Sequence, residues 1–203
     1  MTEESGLHLF VTKNSMTKYN FGCGNKYEKG YVNVDALNWS VPPDVLWDLS
    51  KVPYEFADDN SADEILAIEV LEHLSFRDTV KVLGEWKRIL KVNGKLTIQV
   101  PDCGKMMEYY VDGKICSCVE HKPKDEFEGY GKESCFECGG RGRINPTRWL
   151  YAFTGAQKTG TADIHKNIFT KQILSNVFDV CKFRSYEIKS DKRGWKLIAE
   201  ATK

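Results

Sequence analysis

Short apolar runs alternate with amphipathic segments along this chain, and that order constrains its fold more than any other feature. Such alternation is typical of a sheet with helices packed on its faces. Between two of the apolar runs, hydrophobic residues from Thr79 to Leu90 recur at helical spacing, and Asn93-Gly94 is typical of a helix end. The pattern predicts strands near 19–21, 31–35, 45–48, 64–68 and 95–100.

The C-terminal part of the chain predicts one helix followed by a hairpin. Thr170 is a residue type that caps helices, and an apolar face of helical period follows it from Ile173 to Cys181. Two β-rich segments, 183–188 and 195–201, are joined by a connection so short that they must pair antiparallel. The expected fold class is α/β, with a mostly parallel sheet, helices on both faces and a C-terminal antiparallel hairpin.

Length and charge narrow the class of protein. The 203 residues predict a single domain over 1–203, and 29 basic residues balance 29 acidic ones, so no global field draws the chain to nucleic acid or to an anionic membrane. The first twenty residues lack a basic start followed by a long apolar run. We therefore expect neither a signal peptide nor a membrane anchor, a cytoplasmic location and reduced cysteines.

A glycine turn follows the first predicted strand. Gly22-Cys23-Gly24 lets the backbone approach a ligand closely, and Asp35, at the end of the second strand, can accept hydrogen bonds from both hydroxyls of a ribose. The alternative is a tight turn with a surface aspartate. A nicotinamide site is disfavoured, because Asn25-Lys26-Tyr27 stands where its fingerprint needs a third glycine, and this also argues against dehydrogenase or epimerase chemistry.

Five segments in this order resemble the class I S-adenosylmethionine-dependent methyltransferase superfamily, particularly its short bacterial and viral branch, which has a Rossmann-like fold. They are 20–25, 30–35, 46–49, 70–74 and 85–96. The resemblance implies that the turn from Phe21 through Cys23 to Gly24 binds the cofactor, that Asp35 holds its ribose, and that Asp48 with Leu49 lies near its adenine. Ile68 and Glu69 would flank the cofactor at the end of the fourth strand. Many relatives carry an acid just before the turn, whereas this chain has Asn20.

Glu69, Glu72 and His73 follow the fourth predicted strand, and one helical turn would place all three on one face. Two carboxylates and an imidazole suit a hard divalent cation such as magnesium or manganese. The spacing is similar to that of the small-RNA 3′-terminal 2′-O-methyltransferases and the ubiquinone-pathway O-methyltransferases. In the former a histidine before the last helix adds a fourth ligand, and His165 stands in that place here. Without a metal, His73 or His165 is a candidate general base. The remaining alternative is that Glu72-His73 belongs to a loop without a catalytic role.

The segment 112–167 follows neither period and is predicted to be a cysteine-rich insertion before the last helix. Cys135 and Cys138 form a Cys-x-x-Cys pair followed by glycines, which is typical of one half of a zinc knuckle. This pair resembles the knuckles of J-domain co-chaperones. Together with Cys116 and Cys118 they predict a structural zinc site. Because Cys116 and Cys118 are separated by only one residue, His121 is an alternative ligand in place of one of them. Redox-active or unliganded thiols are the alternatives. Cys23, Cys103 and Cys181 are expected to be buried apolar residues.

The predicted function is O-methylation of a sugar, glycan or small-metabolite hydroxyl by in-line displacement, with Glu72, His73 and His165 as catalytic residues. RNA is the alternative acceptor. No acid occurs from Cys138 to Ala162, a stretch that carries Arg141, Arg143, Arg148 and Lys158 beside Trp149, Tyr151 and Phe153. Cations among aromatics can bind phosphates and bases, or the aromatics can simply pack on the domain. A non-catalytic protein or nucleic-acid binding module on the same fold is the third possibility.

Overall fold

Seven strands form one mixed sheet in the computed structural model, which describes residues 16–112, 153–155, 164–192 and 194–203. The strands lie in the order β3-β2-β1-β4-β5-β7-β6. β1 to β5 pair in parallel, while β7 is antiparallel to both β5 and β6. The predicted α/β class with a C-terminal antiparallel hairpin is confirmed. The strands are β1 Lys18–Phe21, β2 Val32–Asp35, β3 Val45–Leu46, β4 Ala62–Ile68, β5 Leu90–Pro101, β6 Ser185–Ser190 and β7 Lys196–Thr202.

Three helices and a short 3₁₀ turn, Leu71–His73, accompany the sheet in the described residues. The helices are α1 Thr79–Ile89, α2 Cys103–Asp112 and α3 Lys171–Val180. The predicted cap of α3 is confirmed, because the Thr170 hydroxyl accepts a hydrogen bond from the Ile173 N–H at 3.2 Å. The sequence pattern did not predict α2.

The end of α1 differs from the prediction. The helix ends at Ile89 rather than near Asn93-Gly94, and the chain enters β5 directly at Leu90. Asn93 does adopt the left-handed conformation, with φ 65°, that favours it at helix ends. It does so within β5, where the pairing with β4 shifts between Ala62 and Glu64. The same residue types therefore form a strand irregularity instead of a helix cap.

The core lies between the sheet and α1. Trp86 on α1 and Phe21 on β1 are completely buried with ring centroids 5.6 Å apart, and burying a side chain of this size contributes about 1.5–3 kcal/mol. The Trp86 indole N–H donates to the Tyr54 hydroxyl at 2.9 Å, which in turn donates to the Leu49 carbonyl at 2.8 Å. These bonds fix the segment after β3 against the core.

Parallel strands end at one edge of a sheet, which is where such folds bind ligands. The carboxyl ends of β1, β2, β4 and β5 meet there. Because β7 is antiparallel to β5, its first residue, Lys196, pairs with Pro101 and joins the same edge.

The predicted zinc ligands Cys116, Cys118, Cys135 and Cys138 lie outside the described residues, as do His121 and the basic stretch before Phe153. Of the other cysteines, Cys23 and Cys103 are buried and Cys181 is partly buried. No helix in the described ranges is long and apolar enough to span a membrane.

Candidate active site

The glycine turn after β1 has the backbone that only glycine adopts without strain. Gly22 and Gly24 have φ of 63° and 52°. The N–H groups of Gly22 and Cys23 both donate to the Val34 carbonyl, at 2.8 and 3.2 Å, which ties the turn to β2. A Cβ on Gly22 would lie 2.2 Å from Cγ2 of Val70. The turn therefore packs directly against the segment that follows β4.

Asp35 at the end of β2 has a fixed carboxylate. Its Oδ2 accepts a hydrogen bond from the Gly24 N–H at 2.8 Å, and its Oδ1 accepts one from the Leu37 N–H at 3.0 Å. Each carboxylate oxygen keeps a further lone pair. Both oxygens of Asp35 can therefore accept a further hydrogen bond from a ligand.

Beneath the turn, a buried pair of amides holds the segment that connects β1 to β2. The Asn20 side chain donates to the Lys26 carbonyl at 3.0 Å and to Asn33 Oδ1 at 2.9 Å. Asn33 Oδ1 also accepts from the Glu28 N–H at 2.8 Å. Sequence reasoning missed this pair, because an asparagine within a strand gives no signal of its partner.

A cavity of about 500 Å³ opens at this edge of the sheet, within the size range of small-molecule sites. Nine of the predicted site residues line it: Gly22, Cys23, Gly24, Asp35, Asp48, Leu49, Ile68, Glu69 and His73. Phe21 does not, because its side chain is completely buried in the core beneath the turn. Residues that line the cavity without having been predicted include Lys26, Trp39 and Lys166.

Two side chains of the cavity have shifted ionisation. Partial burial opposes ionisation of Asp48, but hydrogen bonds from the Ser50 hydroxyl at 2.7 Å and the Ser50 N–H at 3.0 Å outweigh it and lower the pKa. Burial raises the pKa of Cys23 to about 11, and the charge of Asp35 adds to this effect. At neutral pH the cavity therefore presents a carboxylate at Asp48 and a neutral thiol at Cys23.

Beside the cavity, Glu72, His73 and His165 converge. Each offers a ligand atom, and these atoms lie within 4.8 Å of one another. The two imidazole rings are 4.8 Å apart and nearly perpendicular, at 78°. Since His73 also lines the cavity, the cluster adjoins the place where a cofactor would lie.

Backbone hydrogen bonds hold the two halves of this cluster together. The N–H groups of Lys166 and Asn167 donate to the Glu72 carbonyl, at 2.8 and 3.1 Å. His73 Nδ1 lies 3.2 Å from the Ile164 carbonyl oxygen. The segment before α3 is thereby fixed against the 3₁₀ turn, and this contact brings His165 to Glu72.

Glu72 is 1% exposed, and neither of its carboxylate oxygens has a hydrogen-bond partner among the described residues. Burial raises the pKa of this carboxyl well above its ordinary value, and the charge of Glu69 raises it further. A buried polar group without a partner costs about 1–3 kcal/mol. Such a group, beside two imidazoles, fits either a shared proton or a divalent cation.

Glu69 does not join the cluster. The predicted single helical turn through Glu69, Glu72 and His73 is wrong, because the 3₁₀ turn begins only at Leu71 and Glu69 has a left-handed backbone with φ 58°. Its Oε1 instead accepts from Gln99 Nε2 at 3.1 Å and forms an ion pair with Lys196 Nζ at 3.3 Å. Three of the four predicted metal ligands come together, and the fourth is held elsewhere.

Comparisons with known proteins agree with this architecture. Residues 34–98 match the family model described as a methyltransferase domain. No curated protein sequence matches significantly. Two similar structures are S-adenosylmethionine-dependent methyltransferases. The one from Archaeoglobus fulgidus has a TM-score of 0.53 at 12% identity over 94% of this chain and 87% of that one. The one from Mesorhizobium loti has a TM-score of 0.53 at 12% identity, over 93% and 91%.

A third structure was determined with ligands bound. It is the 1,6-didemethyltoxoflavin-N1-methyltransferase of Burkholderia thailandensis with 1,6-didemethyltoxoflavin and S-adenosylhomocysteine, at a TM-score of 0.50 and 14% identity over 92% of this chain and 70% of that one. At these identities the likeness establishes the fold. The family match falls on β2 to β5 of this same sheet, so the chain has the fold of the class I S-adenosylmethionine-dependent methyltransferases and contains a segment similar to a methyltransferase domain.

Proposed function

We propose that the protein is an S-adenosylmethionine-dependent methyltransferase that methylates a hydroxyl oxygen of a small molecule, such as a sugar or another small metabolite. The observation that carries this proposal is the position of His73, which lines the cavity and also belongs to the cluster with Glu72 and His165. A hydroxyl must lose its proton as its oxygen accepts a methyl group, so a proton acceptor beside the cofactor cavity suits this reaction.

The cavity residues are assigned to the cofactor by their chemistry. Asp35 accepts hydrogen bonds from the ribose hydroxyls, the glycine turn allows close approach of the methionine part, and Leu49 contributes apolar surface beside Asp48. When bound, S-adenosylmethionine supplies an electrophilic methyl group on a sulfonium. The residues of the chain hold the donor and the acceptor in line, and such positioning provides most of the rate enhancement in this kind of displacement.

His73 is suited to accept the proton. In the tautomer in which Nδ1–H donates to the Ile164 carbonyl, Nε2 is the nitrogen of the ring that accepts a proton. Protonation of the ring places a positive charge beside the buried Glu72 carboxyl and so favours ionisation of that carboxyl. Glu72 can therefore stabilise the imidazolium that forms during the reaction, and His165 lies against the same ring.

Methylation of an RNA 2′-hydroxyl with a divalent cation is the second candidate function, and the convergence of Glu72, His73 and His165 favours it. One carboxylate and two imidazoles are a sufficient donor set, and in the described part of the chain no hydrogen bond occupies the Glu72 oxygens, which fits a bound cation. A bound magnesium or manganese ion, the cations expected from the sequence, would lower the pKa of a hydroxyl that it binds. Glu69 is not in reach as a ligand, since it belongs to a different set of contacts.

The two functions are separated by incubating the enzyme with radiolabelled S-adenosylmethionine and either the small-molecule or the RNA fraction of a cell extract, with and without chelator. We expect label in an alkali-stable ether of a small molecule, retained when chelator is present. Label only in RNA, abolished by chelator, would favour the second candidate. Label confined to amines or thiols would contradict both.

The role of the cluster is tested by His73→Gln and Glu72→Gln. Both should reduce methyl transfer at least about tenfold, in line with the usual contribution of a general base, while S-adenosylhomocysteine affinity stays near that of the wild type. Lys189→Gln, on the exposed edge strand β6, is the matched control. Unchanged turnover in both cluster variants would remove the catalytic role.

A further inference from the structure

The cofactor's methionine moiety carries an α-ammonium group that needs an anionic partner. In this chain β1 does not provide one, because Asn20 stands before the glycine turn and its amide donates to Lys26 and Asn33 below the turn. Asn20 is not among the described residues that line the cavity. The partner must therefore come from another wall.

Three acidic residues line the cavity in the described part of the chain: Asp35, Asp48 and Glu69. Asp35 is the last residue of β2 and Asp48 follows β3, on the side assigned to ribose and adenine. Glu69 lies across the sheet at the end of β4. Its chain neighbour Val70 is the residue that packs against Gly22, so Glu69 is adjacent to the glycine turn.

Glu69 has a backbone that a glutamate adopts only at a cost. Its φ of 58° is in the left-handed region, which costs a non-glycine residue about 1–2 kcal/mol. The Glu69 N–H donates to the Gln99 carbonyl at 2.8 Å, which fixes the strained residue to β5. Residues held in this way at a ligand cavity commonly serve function rather than stability.

The Glu69 carboxylate is held from one side only. Both Gln99 Nε2 and Lys196 Nζ contact Oε1, and within the described residues no hydrogen bond to Oε2 is formed. A carboxylate accepts about four hydrogen bonds, so a second cation can bind Oε2 while Lys196 remains on Oε1. The side chain is 29% exposed, which leaves it accessible to a ligand.

We propose that Glu69 binds the α-ammonium group of the cofactor's methionine moiety, and that Gln99 and Lys196 hold its carboxylate in position for this contact. The proposal rests on the assignment of the cavity to S-adenosylmethionine. It gives Glu69 a role in donor recognition, distinct from the cation-binding role that its spacing from Glu72 and His73 suggested.

The test compares two ligands by calorimetry, with chelator present: S-adenosylhomocysteine and its desamino analogue, S-adenosyl-4-thiobutyrate, which lacks only the α-amino group. In the wild type, S-adenosylhomocysteine should bind about 10- to 100-fold more tightly, as expected for a hydrogen bond between charged groups. Glu69→Gln should lose most of this preference, while its affinity for the desamino analogue changes less than about twofold.

Glu69→Gly separates recognition from folding, because glycine adopts φ 58° without strain and this variant should be at least as stable as the wild type. It should still lose the preference. Glu187→Gln, which removes an exposed ion pair with Lys189 on β6, is the matched control.

Each outcome bears on the assignment. Equal weakening of both ligands in the Glu69 variants, or an unchanged preference, would overturn the role of Glu69 and leave the cavity as the cofactor site. Failure of the wild type to bind either ligand would overturn both the cavity assignment and this inference.

Discussion

Gly22 and Val70 are packed so closely that a single Cβ on Gly22 would lie 2.2 Å from Val70 Cγ2. The contact joins the glycine turn after β1 to the segment after β4. It therefore sets the distance between the two walls of the cavity, one carrying Asp35 and the other carrying Glu69 and His73.

Gly22→Ala should abolish S-adenosylhomocysteine binding and destabilise the protein by about 2–4 kcal/mol, because strain at positive φ adds to overpacking against Val70. Gly24→Ala is the matched variant, since Gly24 has a similar φ but open space at its Cβ position, and only the strain of about 1–2 kcal/mol should appear. Urea denaturation measures both. Val70→Ala in the Gly22→Ala background should restore part of the stability, and no restoration would contradict the steric account.

Glu72→Gln should stabilise the protein at neutral pH, by up to about 1.4 kcal/mol for each pH unit above the unfolded-state pKa, because the amide cannot ionise and so avoids the cost of keeping a buried carboxyl protonated. The pKa of Glu72 is raised in the folded state, so above about pH 4.5 the unfolded state ionises first and wild-type stability falls with rising pH. The variant lacks this loss. The difference should therefore shrink as the pH is lowered toward about 4.5 and level off below it.

Thermal unfolding of the wild type and of Glu72→Gln from pH 4 to pH 8, with chelator present, checks this expectation. A variant that is less stable than the wild type by the same amount at every pH would mean that the Glu72 carboxyl has a stabilising partner in the folded protein.

The sequence was sufficient for the parts of the site that follow single strands. Gly22, Gly24 and Asp35 lie within short segments whose residue types require a turn and a carboxylate at the strand ends. His165 was placed beside Glu72 only through resemblance to a family. Its actual position depends on hydrogen bonds from Lys166 and Asn167 to the Glu72 carbonyl, which join distant parts of the chain and leave no local pattern.

Two local expectations did not hold, and both depended on backbone conformation. Spacing placed Glu69 with Glu72 and His73 on one helical face, but the left-handed backbone at Glu69 turns its side chain toward Gln99 and Lys196. Asn93-Gly94 has the residue types of a helix end, yet α1 ends at Ile89 and these residues enter a strand irregularity. In each case pairing with a neighbouring strand outweighed the local propensity.

Manganese binding distinguishes the two candidate mechanisms at the Glu72 cluster. If the cluster holds a cation, manganese at 100 times its dissociation constant should add about 2.7 kcal/mol to the stability of the wild type. His73→Ala and His165→Ala should lose this effect, whereas Glu69→Gln should keep it because Glu69 lies outside the cluster. Thermal shift with increasing manganese measures all four proteins. A manganese effect lost in Glu69→Gln but kept in His165→Ala would contradict the observed grouping.

Titration calorimetry with S-adenosylhomocysteine tests the assignment of the cavity to S-adenosylmethionine most directly. The wild type should bind with micromolar affinity. Asp35→Asn should bind at least about tenfold more weakly, since the variant loses an ionised acceptor for the ribose hydroxyls, and Asp58→Asn at an exposed position should bind like the wild type. Absence of binding to the folded wild-type protein at millimolar ligand would contradict the assignment of the cavity to the cofactor.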